Sequence, residues 1–323
     1  MDYAKLGSLT VSRLGLGCMG MSHLYTGHSI GEDRFIRTIH RALDHGVTHI
    51  DTAEIYGPFT NEELVGKALR GRRDSVVLAS KFGLMSHVGG TRVDSSPANI
   101  RIAVEGSLRR LQTDYIDLYY QHRVDPAIPI EEVVGTLTEL IAEGKIRNVG
   151  LSEAGQSNIR RANAVHPIAA LQSEYSLWTR DGGDGTIALL KELGIGFVPY
   201  SPLNRGLLTG VLRSRDDLDD GDWRLTNPRF LAGAFESNLA IVDTIAEIGH
   251  EGGATTAQVA LAWLLAQDED WSPIPGTTRI DHLEENLGAL ELKLSAEQLE
   301  RLTSITPAVG NHHTEEQLRL SDR

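Results

Sequence analysis

Cysteine is almost missing from the chain, since Cys18 is the only one in 323 residues. A disulfide within the chain is therefore impossible, and a zinc site built on cysteine ligands is not expected. Because this composition is typical of proteins in a reducing compartment, we expect a cytoplasmic location.

Long apolar runs are missing too. No stretch reaches the roughly 18 consecutive apolar residues that a membrane-spanning helix needs. The N-terminal segment MDYAKLGSLTVSRLGLG carries charges and glycines where a secretory signal has an apolar centre. We therefore predict neither a membrane span nor a signal peptide, and we find no repeat or low-complexity segment.

Positive charge is scarce, with 31 lysines and arginines against 44 aspartates and glutamates and a formal net charge of −13. The densest basic clusters, at 70–73 and 109–110, are interpreted as solvated helix ends. An acidic chain without a basic patch repels nucleic-acid phosphates and anionic membrane surfaces. Neither partner is expected.

What is present is a regular alternation of short apolar runs and longer amphipathic runs. The near-continuous apolar character of the short runs favours strands buried on both faces, as in a parallel sheet. The eight predicted strands are 14–19, 47–53, 75–82, 115–122, 146–152, 168–174, 196–201 and 271–276.

Helical patterns follow these strands, and the predicted helices are 33–45, 61–69, 97–111, 130–143, 157–164, 186–193, 236–248, 256–266 and 281–287. Eight strands, each followed by a helix, predict a closed (β/α)8 TIM barrel, which we take as a single domain over residues 1–323. A doubly wound open sheet is the alternative. The strand number, and the absence of a break between two halves, favour the barrel.

Three segments lie outside this pattern. Residues 3–12 predict a β-hairpin with a turn at Gly7 and Ser8, placed to plug the bottom of the barrel. Residues 202–235 form a long loop after the seventh strand, and loops of this length are usually functional. The polar tail 307–323 is expected to be mobile.

The segment 15–20, Gly-Leu-Gly-Cys-Met-Gly, matches the GxGxxG pattern of dinucleotide-binding Rossmann folds. That motif needs a helix beginning at its third glycine and an acidic residue ending a second strand about 20 residues on. The residues after Gly20 do not predict a helix, and the zone 32–40 is itself helical in pattern. We therefore reject the Rossmann interpretation.

Catalytic groups of a barrel lie at the carboxyl ends of its strands and in the loops that follow them. Four polar residues occupy such positions here: Asp51, Tyr56, Lys81 and His122. This set suits carbonyl reduction, in which negative charge builds on an oxygen that must also receive a proton.

Tyrosine can donate that proton, and a nearby ammonium is expected to lower its pKa. Lys81 is the candidate ammonium, held by Asp51, and His122 would donate a hydrogen bond to the reacting oxygen. None of these side chains supplies electrons, so a hydride-carrying cofactor is required.

The chain resembles the aldo-keto reductases. HIDTAEIYG is similar to the family's Asp-Thr-Ala-x-x-Tyr-Gly segment, and further blocks follow in the family order: LASKFG, YIDLYYQHR, GKIRNVGLSE, LQSEYSLWTRD, PYSPLNRGLLTG and IPGTTRIDHLEENLGA. GLGCMGMS resembles the first strand of the branch that includes plant and bacterial aldehyde reductases. The resemblance covers roughly residues 3–305.

The resemblance implies an NADP(H)-dependent reductase of aldehydes and ketones, of the aldehyde reductase type, with Tyr56 as proton donor in a tetrad with Asp51, Lys81 and His122. Ser152, Glu153 and Gln172 would lie near the nicotinamide amide, and Tyr200 would stack on its ring. Residues implied to wrap the pyrophosphate are Ser201, Pro202, Leu203, Gly206 and Leu207. Residues implied to hold the adenosine phosphate end are Gly276, Thr277, Thr278, Arg279, His282, Glu285 and Asn286.

The turn 276–281 supports the last assignment independently, because barrels often bind phosphate after strands seven and eight. Arg279 would favour the 2′-phosphate of NADP over NAD. Three positions depart from common family patterns: His282 replaces an arginine, Asn204 a glycine, and Glu153 an asparagine, although the resembling branch also has glutamate there.

The substrate pocket is expected to use residues in loops at the barrel mouth, namely Tyr25, His87, Trp178, Trp223 and Arg224. Aromatic walls with a few polar groups suit aromatic or medium-sized aliphatic aldehydes. A regulatory subunit with the same fold and little turnover is the alternative function. A metal-dependent hydrolase is disfavoured because only Asp51 and His122 resemble ligands at strand ends, so no metal is predicted. The sequence does not determine the physiological substrate, the direction of flux or the oligomeric state.

Overall fold

The computed structural model describes residues 1–22, 31–85, 93–180 and 185–322. Within these ranges, seven parallel strands pair in chain order, which confirms the predicted barrel architecture. They follow an N-terminal hairpin, β1 (Tyr3–Leu6) and β2 (Leu9–Ser12). The parallel strands are β3 (Leu16–Gly17), β4 (His49–Asp51), β5 (Val77–Phe82), β6 (Ile116–Gln121), β7 (Ile146–Ser152), β8 (Ile168–Glu174) and β9 (Gly196–Tyr200).

The predicted eighth strand, 271–276, closes the barrel through two isolated bridges, Trp271 with Phe197 and Gly276 with Gly17. Ser272 donates to the Phe197 carbonyl over 3.1 Å on one side. Proline has no N–H to give to a ladder, and prolines occupy positions 273 and 275 of this segment. The closing segment therefore pairs at separate points instead of forming a continuous strand.

The helices lie close to their predicted limits: α1 (Glu32–Asp44), α2 (Thr60–Ala68), α3 (Pro97–Leu111), α4 (Ile130–Ala142), α5 (Gln156–Val165), α6 (Thr186–Leu193), α7 (Ala234–Gly252), α8 (Thr256–Leu265) and α9 (Ile280–Leu287). Ser96 caps α3, its side chain accepting from the Asn99 amide. Two helices, α10 (Ala296–Thr303) and α11 (Glu315–Leu318), were not predicted.

The barrel interior is filled by side chains from the strands. Every residue of β6 and β8 is buried, as expected for strands covered on both faces. Gly150 in β7 makes room for a neighbour, because a Cβ at this position would lie 2.4 Å from the Tyr120 ring. This glycine therefore lets an aromatic side chain enter the core.

The hairpin lies at the bottom of the barrel, as predicted. Its turn residue Gly7 has a positive φ of 57°, and a Cβ there would lie 2.9 Å from Ala169 near the start of β8. A Cβ at Gly196, which begins β9, would lie 2.5 Å from the side chain of Leu6. The hairpin thus closes the end of the barrel opposite to the carboxyl ends of the strands.

The tail differs from its expectation. Residues 307–322 are packed against the barrel instead of extending away from it, and Asp322 donates its backbone N–H to the Glu153 carbonyl over 3.0 Å. Among the helices in the described part of the chain, none is long and apolar enough to cross a bilayer.

Candidate active site

Three strand ends bring the predicted catalytic residues to one mouth of the barrel. Asp51 ends β4, Lys81 lies near the end of β5, and His122 follows β6 directly. Tyr56 comes from the turn after β4, where its backbone N–H donates to the Ala53 carbonyl over 3.1 Å. The four side chains converge because adjacent parallel strands end at the same edge.

Lys81 is the centre of this group. Its Nζ donates to Asp51 Oδ1 over 2.5 Å, to the Thr52 carbonyl over 2.8 Å and to the Tyr56 hydroxyl over 3.3 Å. Burial alone would lower the pKa of the Lys81 ammonium, but Asp51 and Tyr56 raise it above its ordinary value. Lys81 is therefore charged and fixed beside the phenol.

Gln172, at the end region of β8, holds the other oxygen of this carboxylate. Its Nε2 donates to Asp51 Oδ2 over 2.8 Å. The carboxylate is thus bound on both oxygens, by an ammonium and by an amide. Sequence reasoning assigned Gln172 to the nicotinamide amide only and missed this contact, which joins strands far apart in the chain.

Tyr56 differs from the expectation in one respect. Burial raises the pKa of its hydroxyl above the ordinary value, Lys81 lowers it, and Asp51 raises it again. Lys81 acts in the predicted direction, but the net shift is upward because the loss of solvation is larger. Tyr56 therefore carries its proton at neutral pH, which is the form that a proton donor needs.

His122 lies edge-on to this tyrosine, with 6.1 Å between the ring centroids of His122 and Tyr56. Burial first, and then the charges of Arg123 and Lys81, hold the pKa of His122 well below its ordinary value. The imidazole is therefore neutral. Its Nδ1 is buried without a hydrogen-bond partner in the described ranges.

Arg123 is a mouth residue that sequence reasoning missed. The half-buried guanidinium donates from Nη1 to the His122 carbonyl over 2.6 Å and to Ser152 Oγ over 3.2 Å. It therefore links the ends of β6 and β7 and adds positive charge beside the imidazole. The available signal was its place inside the YIDLYYQHR block.

The residues assigned to the nicotinamide lie at the ends of β7, β8 and β9. Ser152 and Glu153 are buried, and Glu153 has a positive φ of 53° that turns the chain away from β7. Glu153 Oε1 accepts from the backbone N–H of Glu174 over 2.8 Å, so this carboxylate also ties two strand ends together. Tyr200 is half-buried, and its hydroxyl lies 3.2 Å from His313 Nε2.

The segment 201–207 after β9 has a backbone shaped to surround a ligand, and we call it the cradle. Ser201, Asn204, Arg205 and Gly206 all have positive φ values. Both amide atoms of Asn204 are buried, and neither has a partner in the part of the chain that the structure describes. An orphaned buried amide costs about 1–3 kcal/mol unless a ligand completes it. The remaining residues assigned to the pyrophosphate, Pro202, Leu203 and Leu207, belong to the same segment.

Glu174 is a second residue that sequence reasoning missed. Arg205 Nη2 donates to Glu174 Oε2 over 2.9 Å, and Arg229 Nη1 lies 3.8 Å from the other oxygen. Burial would raise the pKa of this carboxyl, but Arg205 first, and then His313, His312 and Arg229, lower it to about 2. The ion pair anchors the cradle to the end of β8.

The segment 276–281, predicted to hold the adenosine phosphate, is a turn that leads into a helix, and α9 begins directly after Arg279. Arg279 is exposed but is bound by the carboxylate of Asp281, Nε donating to Oδ1 over 3.0 Å. The positive charge at this position is therefore paired with a carboxylate in this conformation. Gly276 and His282 are exposed, Thr277, Thr278 and Glu285 are half-buried, and Asn286 is buried.

The substrate candidates separate into three groups. Tyr25 and His87 lie outside the described residues. Trp178 is 4% exposed and belongs to the hydrophobic core. Trp223 and Arg224 contact the cradle: the Arg205 guanidinium lies 5.4 Å from the Trp223 ring centroid, and Arg224 donates to the Arg205 carbonyl over 3.1 Å.

The rejected GxGxxG segment is explained by barrel closure. Gly17 ends the short strand β3, and a Cβ there would lie 2.8 Å from the Ile274 carbonyl oxygen. A short turn at Met19–Met21 follows, and not a phosphate-binding helix.

Comparison with known proteins places these features in a family. The family model described as the aldo/keto reductase family matches residues 13–307. The chain is 30% identical to the glycerol dehydrogenase AKR11B4 from Gluconobacter oxydans, with a TM-score of 0.84 and 94% of each chain covered.

Two further solved structures are similar over nearly their whole length. The aldo-keto reductase AKR11C1 from Bacillus halodurans, in its holo form, is 31% identical with a TM-score of 0.78, covering 96% of this chain and 98% of that one. An aldo/keto reductase from Klebsiella pneumoniae, in complex with NADP and acetate, is 29% identical with a TM-score of 0.77, covering 97% of this chain and 99% of that one.

Proposed function

Since the chain belongs to the aldo-keto reductase family, we propose that it reduces aldehydes and ketones to alcohols with NADPH, and that Tyr56 is the proton donor. The observation that carries this proposal is the contact of the Lys81 ammonium with both Asp51 and Tyr56. A half-buried phenol beside a fixed, buried ammonium, at the open end of a barrel, is suited to protonate an oxygen that gains negative charge.

The residues present fit a dinucleotide cofactor. The orphaned amide of Asn204 lies in a left-handed segment next to Tyr200, where a bound polar group would satisfy it. Tyr200 offers an aromatic face, and Ser152 an hydroxyl, for the nicotinamide end. The turn at Thr277 and Thr278 and the side chain of Arg279 would hold the adenosine phosphate end. When bound, NADPH would supply the hydride.

The side chains of the chain itself perform the other steps. His122 Nε2 would orient the carbonyl oxygen, and because the imidazole is neutral it does so without adding charge to the ground state. Tyr56 would give its proton to that oxygen as charge develops there. Lys81 then stabilises the phenolate, and Asp51 and Gln172 keep Lys81 in place.

The experiment is a panel of aldehydes, ketones and sugars assayed with NADPH and with NADH, beginning with 4-nitrobenzaldehyde. We expect loss of NADPH absorbance with aldehydes and a lower Michaelis constant for NADPH than for NADH. If NADPH binds and no member of the panel is reduced, the reductase proposal fails.

The assignment of residues 1–323 to a single domain and the cytoplasmic location stay predictions.

A further inference from the structure

The C-terminal tail crosses the barrel mouth at defined points. Val309 exchanges two hydrogen bonds with the side chain of Asn238 in α7, of 2.8 and 3.1 Å. Asn227 Nδ2 then donates to the His312 carbonyl over 3.0 Å. Side-chain amides that bond the tail backbone fix its path regardless of the tail's own side chains. The tail therefore reaches the mouth in one register.

His313 is the residue that this path delivers to the mouth. Its Nδ1 lies 3.3 Å from Arg205 Nη2, and its Nε2 lies 3.2 Å from the Tyr200 hydroxyl. The same Nε2 lies 3.4 Å from Glu174 Oε2. The side chain is only 12% exposed. His313 thus contacts both Tyr200, which is proposed to stack on the nicotinamide, and Arg205 in the proposed pyrophosphate cradle.

The chemistry of these partners assigns the proton on the ring. A guanidinium only donates, so His313 Nδ1 accepts from Arg205. Burial lowers the pKa of His313 to about 4, with Glu174 opposing and Arg205 adding to that shift. The neutral ring therefore carries its proton on Nε2, where it is donated toward Tyr200 or Glu174. Both nitrogens of His313 are therefore used, Nδ1 by Arg205 and Nε2 by Tyr200 or Glu174.

The far end of the tail is held at α5. Asp322 Oδ2 accepts from the Gly155 N–H over 3.0 Å and from Asn158 Nδ2 over 2.6 Å. A Cβ at Gly155 would lie 2.5 Å from the Asp322 carbonyl oxygen, so this glycine is needed for the contact. The carboxylate also complements the positive end of the helix dipole. The side chain of Asp322 thus anchors the tail at α5, in addition to its backbone contact with Glu153.

A bound metal ion does not explain why Glu174, His312 and His313 lie together. Glu174, His312 and His313 offer atoms within 4.8 Å of one another. Arg205, however, donates to Glu174 over 2.9 Å, so a cation bound there would meet a guanidinium. The Glu174 carboxylate is already paired with two guanidinium groups of the protein.

We propose that residues 307–322 form a strap that completes the cofactor site, with His313 as a positioning residue for Tyr200 and Arg205 and with Asp322 as its anchor. The strap runs over the ends of β7, β8 and β9, where Glu153, Glu174 and Tyr200 stand. By holding the hydroxyl of Tyr200 and the guanidinium of Arg205, it fixes the Tyr200 ring and the cradle before a nucleotide binds. This inference rests on the proposed function.

The test compares His313→Ala and His313→Gln with the wild-type chain. Glutamine can accept from Arg205 through its oxygen and donate to Tyr200 through its nitrogen, so it retains both contacts. NADPH affinity is measured by quenching of tryptophan fluorescence, and NADPH dissociation by stopped flow. We expect His313→Ala to weaken NADPH binding about tenfold, mainly through faster dissociation. We expect His313→Gln to keep most of the wild-type affinity.

Two further variants separate the strap from general damage. Asp322→Ala should weaken NADPH binding several-fold through loss of the anchor, whereas Arg319→Ala, an exposed position on the same tail, should bind as wild type does. Circular dichroism checks that each variant is folded.

The inference is overturned if folded His313→Ala and Asp322→Ala both bind NADPH within about twofold of wild type. It is also overturned if glutamine and alanine at position 313 behave alike. Failure of the wild-type chain to bind NADPH would instead contradict the proposed function. The two failures are therefore distinguishable.

Discussion

The Tyr56 hydroxyl accepts a hydrogen bond of 3.3 Å from Lys81 Nζ, and that contact is made from inside the barrel wall. The ammonium is almost fully buried and is bound to Asp51 as well. It therefore cannot leave the phenol to meet solvent. This arrangement determines what the site can do, because a proton donor and the charge that stabilises its conjugate base are held together before any substrate arrives.

The pH profile of reduction follows from this contact. Tyr56 must be protonated to act, and its pKa lies above the ordinary value of 10. The rate at saturating NADPH should therefore stay level through neutral pH and fall only as the pH rises through the pKa of Tyr56.

Lys81→Met removes the group that lowers this pKa, so the alkaline fall should move to higher pH. The variant's rate should be reduced about 100-fold or more. Initial rates measured across the alkaline range check both effects. An alkaline limb that stays in place in folded Lys81→Met would contradict the coupling of Lys81 to Tyr56.

Cofactor preference should depend on the Arg279–Asp281 pair. A 2′-phosphate must compete with Asp281 for the guanidinium, so Asp281→Asn should lower the Michaelis constant for NADPH and leave that for NADH unchanged. Arg279→Ala should raise the constant for NADPH far more than that for NADH. Steady-state kinetics with both cofactors decide the point, and equal changes for the two cofactors would show that Arg279 does not contact the 2′-phosphate.

The buried ion pair of Glu174 with Arg205 should contribute strongly to stability. Glu174→Gln leaves Arg205 and Arg229 without their carboxylate, and removal of one partner of a buried pair costs about 3–5 kcal/mol. Urea denaturation at about neutral pH measures this loss in the free energy of unfolding. A change below about 1 kcal/mol would contradict this role for the pair.

The same pair predicts a pH dependence of stability. The pKa of Glu174 is lowered from 4.5 to about 2 in the folded chain. Its contribution is therefore complete above the unfolded value and is lost as the pH falls from about 4.5 to about 2. In Glu174→Gln this part of the acid dependence should be missing. Urea titrations of both chains over that interval provide the comparison.

The barrel and the meeting of four polar side chains could be predicted because both follow from local pattern. Apolar runs located the strands, and a barrel places all the strand ends at one mouth. The closing strand was predicted correctly in place but not in regularity, since Pro273 and Pro275 interrupt its ladder. The upward pKa of Tyr56 could not be predicted, because burial is not visible in a motif.

The strap could not be predicted from the sequence for a similar reason. His313 contacts Tyr200 and Arg205, residues more than a hundred positions earlier, and no periodicity marks such a contact. A polar tail predicts mobility unless its partners are known. Likewise, Arg279 was interpreted by its charge alone, although its partner Asp281 stands only two residues away.

The most direct test of the central claim replaces Tyr56 with Phe. The matched control is Tyr115→Phe, because Tyr115 directly precedes β6, at the end of the barrel opposite to the catalytic mouth. The kcat/KM for 4-nitrobenzaldehyde and the Kd for NADPH are measured for both variants. We predict a loss of at least about 100-fold in kcat/KM for Tyr56→Phe only, with NADPH binding nearly unchanged. Reduction that continues at the wild-type rate in Tyr56→Phe would contradict the account.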